Sequence, residues 1–492
     1  MSMRLSALID DELTVPAGAA DADVLGITAD SRQVRPGFVF AALAGSRADG
    51  ARFAADAIAR GAVAVIAGRD AQLGDLGSAA VLRSAEPRRS LALMAARLAG
   101  AQPAVAVAVT GTSGKTSVAE FTRQILQQLG HPSASLGTIG VVTPAGATYG
   151  SLTTPDPVSL HATLAELARE GITHLALEAS SHGLDQHRLD GVRLAAAAFT
   201  NLGRDHMDYH PTVEHYLAAK LRLFTELLQP GQRAVVNADG AMSEEVVAAA
   251  RRRGLEVLSV GRAGELLRLA NATREGFAQR LEVVHEGRRH GVRLPLIGAY
   301  QVENALVAAG LAIAVGEQIE PVLAALETLR GVRGRLDIVG EARGGLVLVD
   351  YAHKPEALAA ALAACRPFVT GKLVCVLGCG GDRDKGKRPI MGRIAAEAAD
   401  LVIVTDDNPR SERPDAIRAE ILAGMAAGAA TAREIGDRRA AIAAAVAAIR
   451  PGDVVLIAGK GHETGQIVGD TVLAFSDHEV ADAEIRREGG HG

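Results

Sequence analysis

Residues 105–117 read V-A-V-A-V-T-G-T-S-G-K-T-S, and no other stretch constrains the fold of this chain as much. A run of small apolar residues without polar alternation predicts a strand covered on both faces, as in a parallel sheet. The G-T-S-G-K-T that follows can wrap backbone N–H groups around a phosphate. The helix opened by S-V-A-E-F-T-R-Q-I-L-Q-Q-L-G at 117–130 points its positive end there. Gly111, Thr112, Ser113, Gly114, Lys115, Thr116 and Ser117 are therefore the candidate phosphate residues, with Lys115 as mobile cation and Thr116 within reach of Mg²⁺. The Walker pattern G-x-x-x-x-G-K-[ST] wants glycine where this chain has Val109. That glycine does not itself hold the phosphate, so the expectation stands. The loop alone does not say what receives the phosphate.

The rest of the chain repeats the strand–helix alternation. Short apolar strands at 39–43 and 62–67 with helical stretches between predict a small α/β unit, closed by S-L-A-L-M-A-A-R-L-A and the breaker G-A-Q-P at 100–103. T-H-L-A-L-E and A-A-A-A-F-T-N-L continue a parallel sheet after the loop. L-E-V-L-S-V, Q-R-L-E-V-V and V-R-L-P-L in 255–297 read as attached antiparallel strands. Past a glycine-rich, basic stretch at 330–336, the segments L-V-L-V-D-Y, K-L-V-C-V-L-G, L-V-I-V-T-D and D-V-V-L-I-A-G predict a second, doubly wound sheet. The fold class is α/β with three domains: a central P-loop-type parallel sheet, a C-terminal Rossmann-like sheet, and the first small unit.

At 492 residues the chain exceeds one core. A net charge of −5 and an aromatic content of 3% without tryptophan argue against a nucleic-acid partner. Cys365, Cys375 and Cys379 show no repeated C-x-x-C spacing and read as reduced thiols. No apolar run approaches the roughly 18 residues of a membrane span, so a soluble cytoplasmic protein is expected.

Further residues carry chemistry. Glu178 ends a predicted strand at the edge where parallel sheets bind ligands. T-N-L-G-R-D-H-M-D-Y-H at 200–210 packs Asp205, His206, Asp208 and His210 behind another strand; hard oxygens suit Mg²⁺ but histidine is unusual for it, so on chemistry alone the cluster points to zinc, a reading the family resemblance given below sets aside. Lys220 shares a helix face with Tyr216 and Leu223, and from spacing alone a solvated lysine reads equally well. L-G-C-G-G-D-R-D-K-G-K-R-P at 377–389 puts Arg383 where a dinucleotide fingerprint needs glycine, and its cations suit an anion. In D-D-N-P-R at 406–410, Asp407 and Arg410 can address the ammonium and carboxylate of one zwitterion, or be solvated charges on a turn.

Taken together with D-S-R-Q-V-R-P-G at 30–37, E-A-S-S-H-G-L at 178–184, Y-L-A-A-K at 216–220, V-D-Y-A-H-K-P at 349–355 and G-K-G-H-E at 459–463, these stretches resemble the Mur ligases. Those are the ATP-dependent amide ligases of peptidoglycan synthesis, and the resemblance covers essentially the whole chain. That family's loop also lacks the first Walker glycine. The resemblance implies a UDP-muramoyl-binding domain at 1–100, a central ATPase domain at 101–332 and an amino-acid-binding domain at 333–492, closing about 330–336. It implies ATP contacts at Asn304, Arg335 and Asp350 besides the loop. It implies two Mg²⁺ ions on Thr116, Glu178, His206 and Lys220, the lysine being carbamylated by CO₂, with Lys115, Lys220, Glu178 and His206 catalytic. Ala29, Ser31, Ser46, Arg47 and Ala48 match the uridine region. Thr153, Thr154, Ser180, Gln186 and Arg188 match contacts to the muramoyl dipeptide, although Leu152 stands where the family often has Asn.

Asp407, Asn408, Pro409 and Arg410, with Arg383, Gly459 and Glu463, match the member of the family that adds meso-2,6-diaminopimelate to the UDP-N-acetylmuramoyl dipeptide, working as a monomer. Diaminopimelate differs from lysine by a second carboxylate, which an arginine can grip bidentately. A lysine-adding relative and a folylpolyglutamate synthetase are the alternatives. The latter lacks both the D-S-R-x-x-x-P-G segment and D-N-P-R.

Overall fold

The computed structural model describes residues 2–9, 13, 21–45, 49–77, 79–148, 150, 152–203, 205–425 and 430–489. Ser46, Arg47 and Ala48 lie outside the described residues. The chain divides into two compact units, 1–265 with 310–318, and 266–309 with 319–492.

The first unit begins with a four-stranded parallel sheet, in the order Gly26–Thr28, Phe38–Ala42, Ala64–Gly68 and Ala80–Ser84. Alternation along Phe38–Ala42 sends Val39 and Ala41 into one apolar layer with Leu91 and Met94, and Phe40 and Ala42 into the opposite layer. The helix Pro87–Ala99 opens with proline in its first turn and stops at Gly100, whose φ of 76° only glycine adopts at little cost.

A larger sheet of the same unit runs in the order Gly146–Thr148, Gly140–Thr143, Ser133–Gly137, His174–Glu178, Val105–Thr110, Leu194–Phe199, Arg233–Asn237 and Glu256–Gly261. The first three strands pair antiparallel and the others parallel. Val109 lies inside this sheet, fully buried, opposite Glu178 on one side and Ala198 on the other. The position of the absent Walker glycine is thus the interior of a central strand, where a β-branched residue packs and glycine leaves a void. The loop starts two residues later.

The expectation of an antiparallel strand at L-E-V-L-S-V is corrected here. Glu256–Gly261 pairs in parallel with Arg233–Asn237, because the helix Ser243–Arg252 carries the chain back across the sheet between them. The antiparallel strands are Leu267–Glu275, Ala278–His285 and Arg288–Leu294, all in the second unit.

The second unit also holds a six-stranded sheet, ordered Asp337–Ala342, Gly345–Asp350, Val454–Ala458, Leu373–Leu377, Leu401–Val404 and Thr431–Glu434, with only the first pair antiparallel. Leu346 and Leu348 face one buried layer and Val347 and Val349 the other, as a sheet covered by helices on both sides requires. The C-terminal ends of its five mutually parallel strands lie along one edge, where such sheets bind ligands. Among the described residues no helix is long and apolar enough to cross a membrane.

Candidate active site

In the first unit the strand Val105–Thr110 feeds the loop and the helix Lys115–Gln128. A Cβ on Gly111 would stand 1.9 Å from Thr200 Oγ1, so only glycine allows the neighbouring strand's end to dock on the loop. Thr200 Oγ1 donates to Ser113 O at 2.6 Å. Asn201 O and Oδ1 accept from Thr112 N at 2.9 Å and Ser113 N at 3.1 Å. These two residues shape the loop, yet sequence reasoning placed them only within a conspicuous segment. Lys115 Nζ donates to Gly111 O and Thr112 O at 2.9 Å each, and Thr116 and Ser117 are buried in the first helical turn.

Lys220 is not a solvated lysine. It is 1% exposed on the helix Val213–Arg222, with Nζ 4.2 Å above the Tyr216 ring and 2.7 Å from Gly111 O, to which it donates. Burial, reinforced by Lys115 and partly offset by Asp205, pushes this amine down to about 6. An amine whose burial favours the neutral form thus sits against the loop at 111–117.

Glu178, buried at the end of its strand, accepts from Thr138 N at 2.7 Å and Thr138 Oγ1 at 3.2 Å. Thr138 Oγ1 meets Thr153 Oγ1 at 3.0 Å. Thr154 Oγ1 donates to Glu178 O at 2.8 Å and accepts from Ser180 N at 3.1 Å. Ser180 caps the turn Ser181–Asp185, while Arg188 donates to Thr154 O at 2.7 Å and Gln186 Oε1 at 2.8 Å. Glu178 and the five residues matched to the dipeptide are therefore one connected network. Gln186 and Arg188 also line a cavity of about 390 Å³ with Ala29 and the unforeseen Asp30, Arg88 and Asp156. Ser31 is buried in the single turn Ser31–Gln33 just beyond it.

His206 has a left-handed backbone, φ 57°, and packs edge-on to His182 with ring centroids 4.8 Å apart. No three His, Cys, Asp or Glu side chains among the described residues form a ready metal cluster. The donors that the family resemblance assigns to metal are the Glu178 carboxylate, the His206 imidazole, the Thr116 hydroxyl and the Lys220 amine. That set suits Mg²⁺ only if the amine gains a carboxylate.

In the second unit, Asn304, Arg335 and Asp350 come together. Asn304 Nδ2 donates to Gln301 Oε1 at 3.0 Å and Gln301 Nε2 to Arg335 O at 3.1 Å. Leu336 N donates to Asp350 Oδ2 at 2.7 Å, and the Arg335 guanidinium lies 5.3 Å from the centre of the Tyr351 ring.

A cavity of about 750 Å³ opens at the strand ends of this unit, lined by Arg383, Asp407, Asn408, Arg410, Gly459 and Glu463. Pro409 stands behind the wall, where its carbonyl would meet a Cβ on Gly381 at 1.9 Å. Arg410 holds φ 51° and donates through Nη1 to Gly381 O at 2.8 Å, while its N–H donates to Ile467 O at 3.1 Å. Cys379 completes the wall, Sγ 3.8 Å from Met391 Sδ, and burial pushes its thiol up to about 11. The lining also holds Lys387, one of the cations at 377–389 read as suiting an anion, and His353 and Lys354, which the sequence showed only as members of the 349–355 motif.

Family models match along the chain: "Mur ligase family, catalytic domain" at residues 23–102, "Mur ligase middle domain" at 109–312, and "Mur ligase, glutamate ligase domain" at 334–461. A Bradyrhizobium diazoefficiens protein named UDP-N-acetylmuramoyl-L-alanyl-D-glutamate--2,6-diaminopimelate ligase is 60% identical over 487 residues, 98% of this chain and 99% of its own. A Mesorhizobium japonicum protein of the same name is 58% identical over 469 residues, 95% and 96% of the two chains. A solved structure of that name superposes with TM-score 0.75 at 31% identity, covering 99% of this chain and 100% of its own. A Mycobacterium tuberculosis folylpolyglutamate synthase complexed with ADP shares the fold, with TM-score 0.59 at 19% identity, over 76% of this chain and 91% of its own. Matched at this identity over nearly its full length, the chain belongs to the Mur ligase family.

Proposed function

We propose that the chain is the ATP-dependent ligase that joins meso-2,6-diaminopimelate to UDP-N-acetylmuramoyl-L-alanyl-D-glutamate, as a cytoplasmic monomer with domains at 1–100, 101–332 and 333–492. The observation that carries this reading is the ionic make-up of the 750 Å³ cavity, where Arg383 and Arg410 stand with Asp407 and Glu463. Two zwitterionic ends make diaminopimelate a ligand of both signs, and the guanidiniums suit the carboxylate that lysine lacks.

Residues 111–117 bind the phosphates of ATP, with Lys115 as cation. The γ-phosphate passes to the D-glutamate γ-carboxylate, held by the Thr153–Arg188 network. Oxide is too poor a leaving group for direct amine attack, whereas phosphate leaves the resulting acyl phosphate readily. The neutral Lys220 amine takes up CO₂ and loses a proton, becoming a carboxylate. Thr116, Glu178, His206 and that modified lysine would hold Mg²⁺, which offsets charge on the meeting oxygens when bound. Asp407 and Glu463 receive the ammonium of the amino acid's far end and Arg410 and Arg383 its carboxylate, which orients the reacting amine.

Phosphate release that requires both the UDP-dipeptide and diaminopimelate tests the reading. In Arg410→Ala the preference for diaminopimelate over lysine should fall roughly tenfold or more, the worth of a charge-assisted hydrogen bond. An unchanged preference overturns the assignment.

A further inference from the structure

Lys460 is fully buried and does not line the cavity, yet it touches two residues that do. Its Nζ donates to Asn408 Oδ1 at 3.0 Å and to Glu463 Oε2 at 2.9 Å. Asn408 Oδ1 also accepts from Ile467 N at 2.9 Å, and Asn408 Nδ2 donates to the same Glu463 Oε2 at 3.0 Å. Both lone pairs of the Asn408 oxygen are thereby taken, and so is one Glu463 oxygen. One Asn408 N–H and Glu463 Oε1 are left. The flanking glycines make this inward turn possible: Gly459 and Gly461 have φ of 119° and 54°, and a Cβ on Gly461 would stand 2.7 Å from Tyr351 Cβ.

We propose that Lys460 is the positioning residue that decides which atoms the cavity offers its amino acid: an amide N–H for a carboxylate oxygen and a single Glu463 oxygen for an ammonium. This rests on the amino-acid reading of the cavity given above. A buried ammonium cannot be re-solvated, so it prevents the Asn408 amide from flipping and Glu463 from rotating. It also cancels the Glu463 charge locally, so an ammonium is chosen by geometry rather than by net field. With Lys460 gone, the Asn408 oxygen keeps only the Ile467 N–H and Glu463 Oε2 only the Asn408 amide, so both side chains are held less firmly in the orientation they share.

The test is steady-state kinetics and calorimetric binding of meso-diaminopimelate and lysine with the full chain, comparing Lys460→Met, Glu463→Gln and the double variant. Lys460→Met should raise the diaminopimelate KM about tenfold to a hundredfold, the range set by a hydrogen bond to a charged group, and narrow the preference over lysine. The KM for ATP should stay within about twofold, a readout that general destabilisation would move. Because Lys460 acts partly through Glu463, the double variant should lose less amino-acid binding than the sum of the two single losses, which a cycle reads even if Lys460→Met is less stable. An unchanged KM, or strictly additive losses, overturns the inference alone. A wild-type chain that binds neither amino acid overturns it together with the amino-acid reading.

Discussion

Lys220→Met separates the two consequences of burying an amine beside the phosphate loop. Lysine in an unfolded chain titrates near 10.5, whereas Lys220 in the fold is pushed down to about 6. Between those values the unfolded chain binds a proton that the folded one does not, so stability rises with pH across the window. The penalty is greatest below pH 6 and fades as pH approaches 10.5. At pH 7 it amounts to roughly three and a half tenfold steps of about 1.4 kcal/mol each, or on the order of 5 kcal/mol. Methionine keeps the apolar stem on the Tyr216 ring and removes the amine, and with it the proton that folding displaces. Gly111 O is not orphaned, because Lys115 Nζ also donates to it at 2.9 Å. The variant should therefore be several kcal/mol more stable at pH 7 in CO₂-free buffer, and the gain should shrink towards pH 10. Its ligase activity should fall by about 10²–10³, the usual cost of losing one charge-stabilising group. Urea unfolding followed by far-UV circular dichroism suits a chain without tryptophan. A variant less stable than wild type at pH 7, or a gain independent of pH, refutes the burial argument. Undiminished activity refutes the metal role.

Gly459→Ala would place a Cβ 2.6 Å from Asp407 Oδ2 at a backbone angle of φ 119°. It should raise the diaminopimelate KM roughly tenfold and leave that for ATP alone, at a strain cost of about 1–3 kcal/mol; initial-rate kinetics decide, and an unmoved KM removes Asp407 from the ligands. Burial pushes the Asp337 carboxyl up to about 7, so its stabilising proton is fully held below pH 4 and lost as pH rises through 7. Asp337→Asn should gain up to about 4 kcal/mol over wild type on going from pH 4 to pH 8, and denaturation midpoints at both pH values that shift in parallel would count against this.

Local patterns carried much of this architecture. The run at 105–110 announced a central parallel strand, and its buried interior explains why Val109 is compatible with a phosphate loop. The face shared by Lys220 and Tyr216 followed from helical spacing, but spacing could not tell a solvent-facing stripe from one pressed onto Gly111. The direction of Glu256–Gly261 was misread because a strand's sequence does not encode its partner; the helix Ser243–Arg252 ahead of it was the usable sign. The motifs at 407–410 and 459–463 marked the cavity wall. Nothing in G-K-G-H-E says that its lysine turns inward, since that depends on two positive-φ glycines and, besides Glu463 in the same motif, on Asn408 far away along the chain.

The sulfur in the cavity wall has a chemical consequence of its own. With its thiol near 11, Cys379 is ionised in only about one molecule in ten thousand at neutral pH. Oxidants and alkylating agents attack the thiolate, so a thiol held this far up reacts slowly. The cavity thus carries in its wall a cysteine that burial keeps protonated, which makes that sulfur a poor target for a covalent ligand.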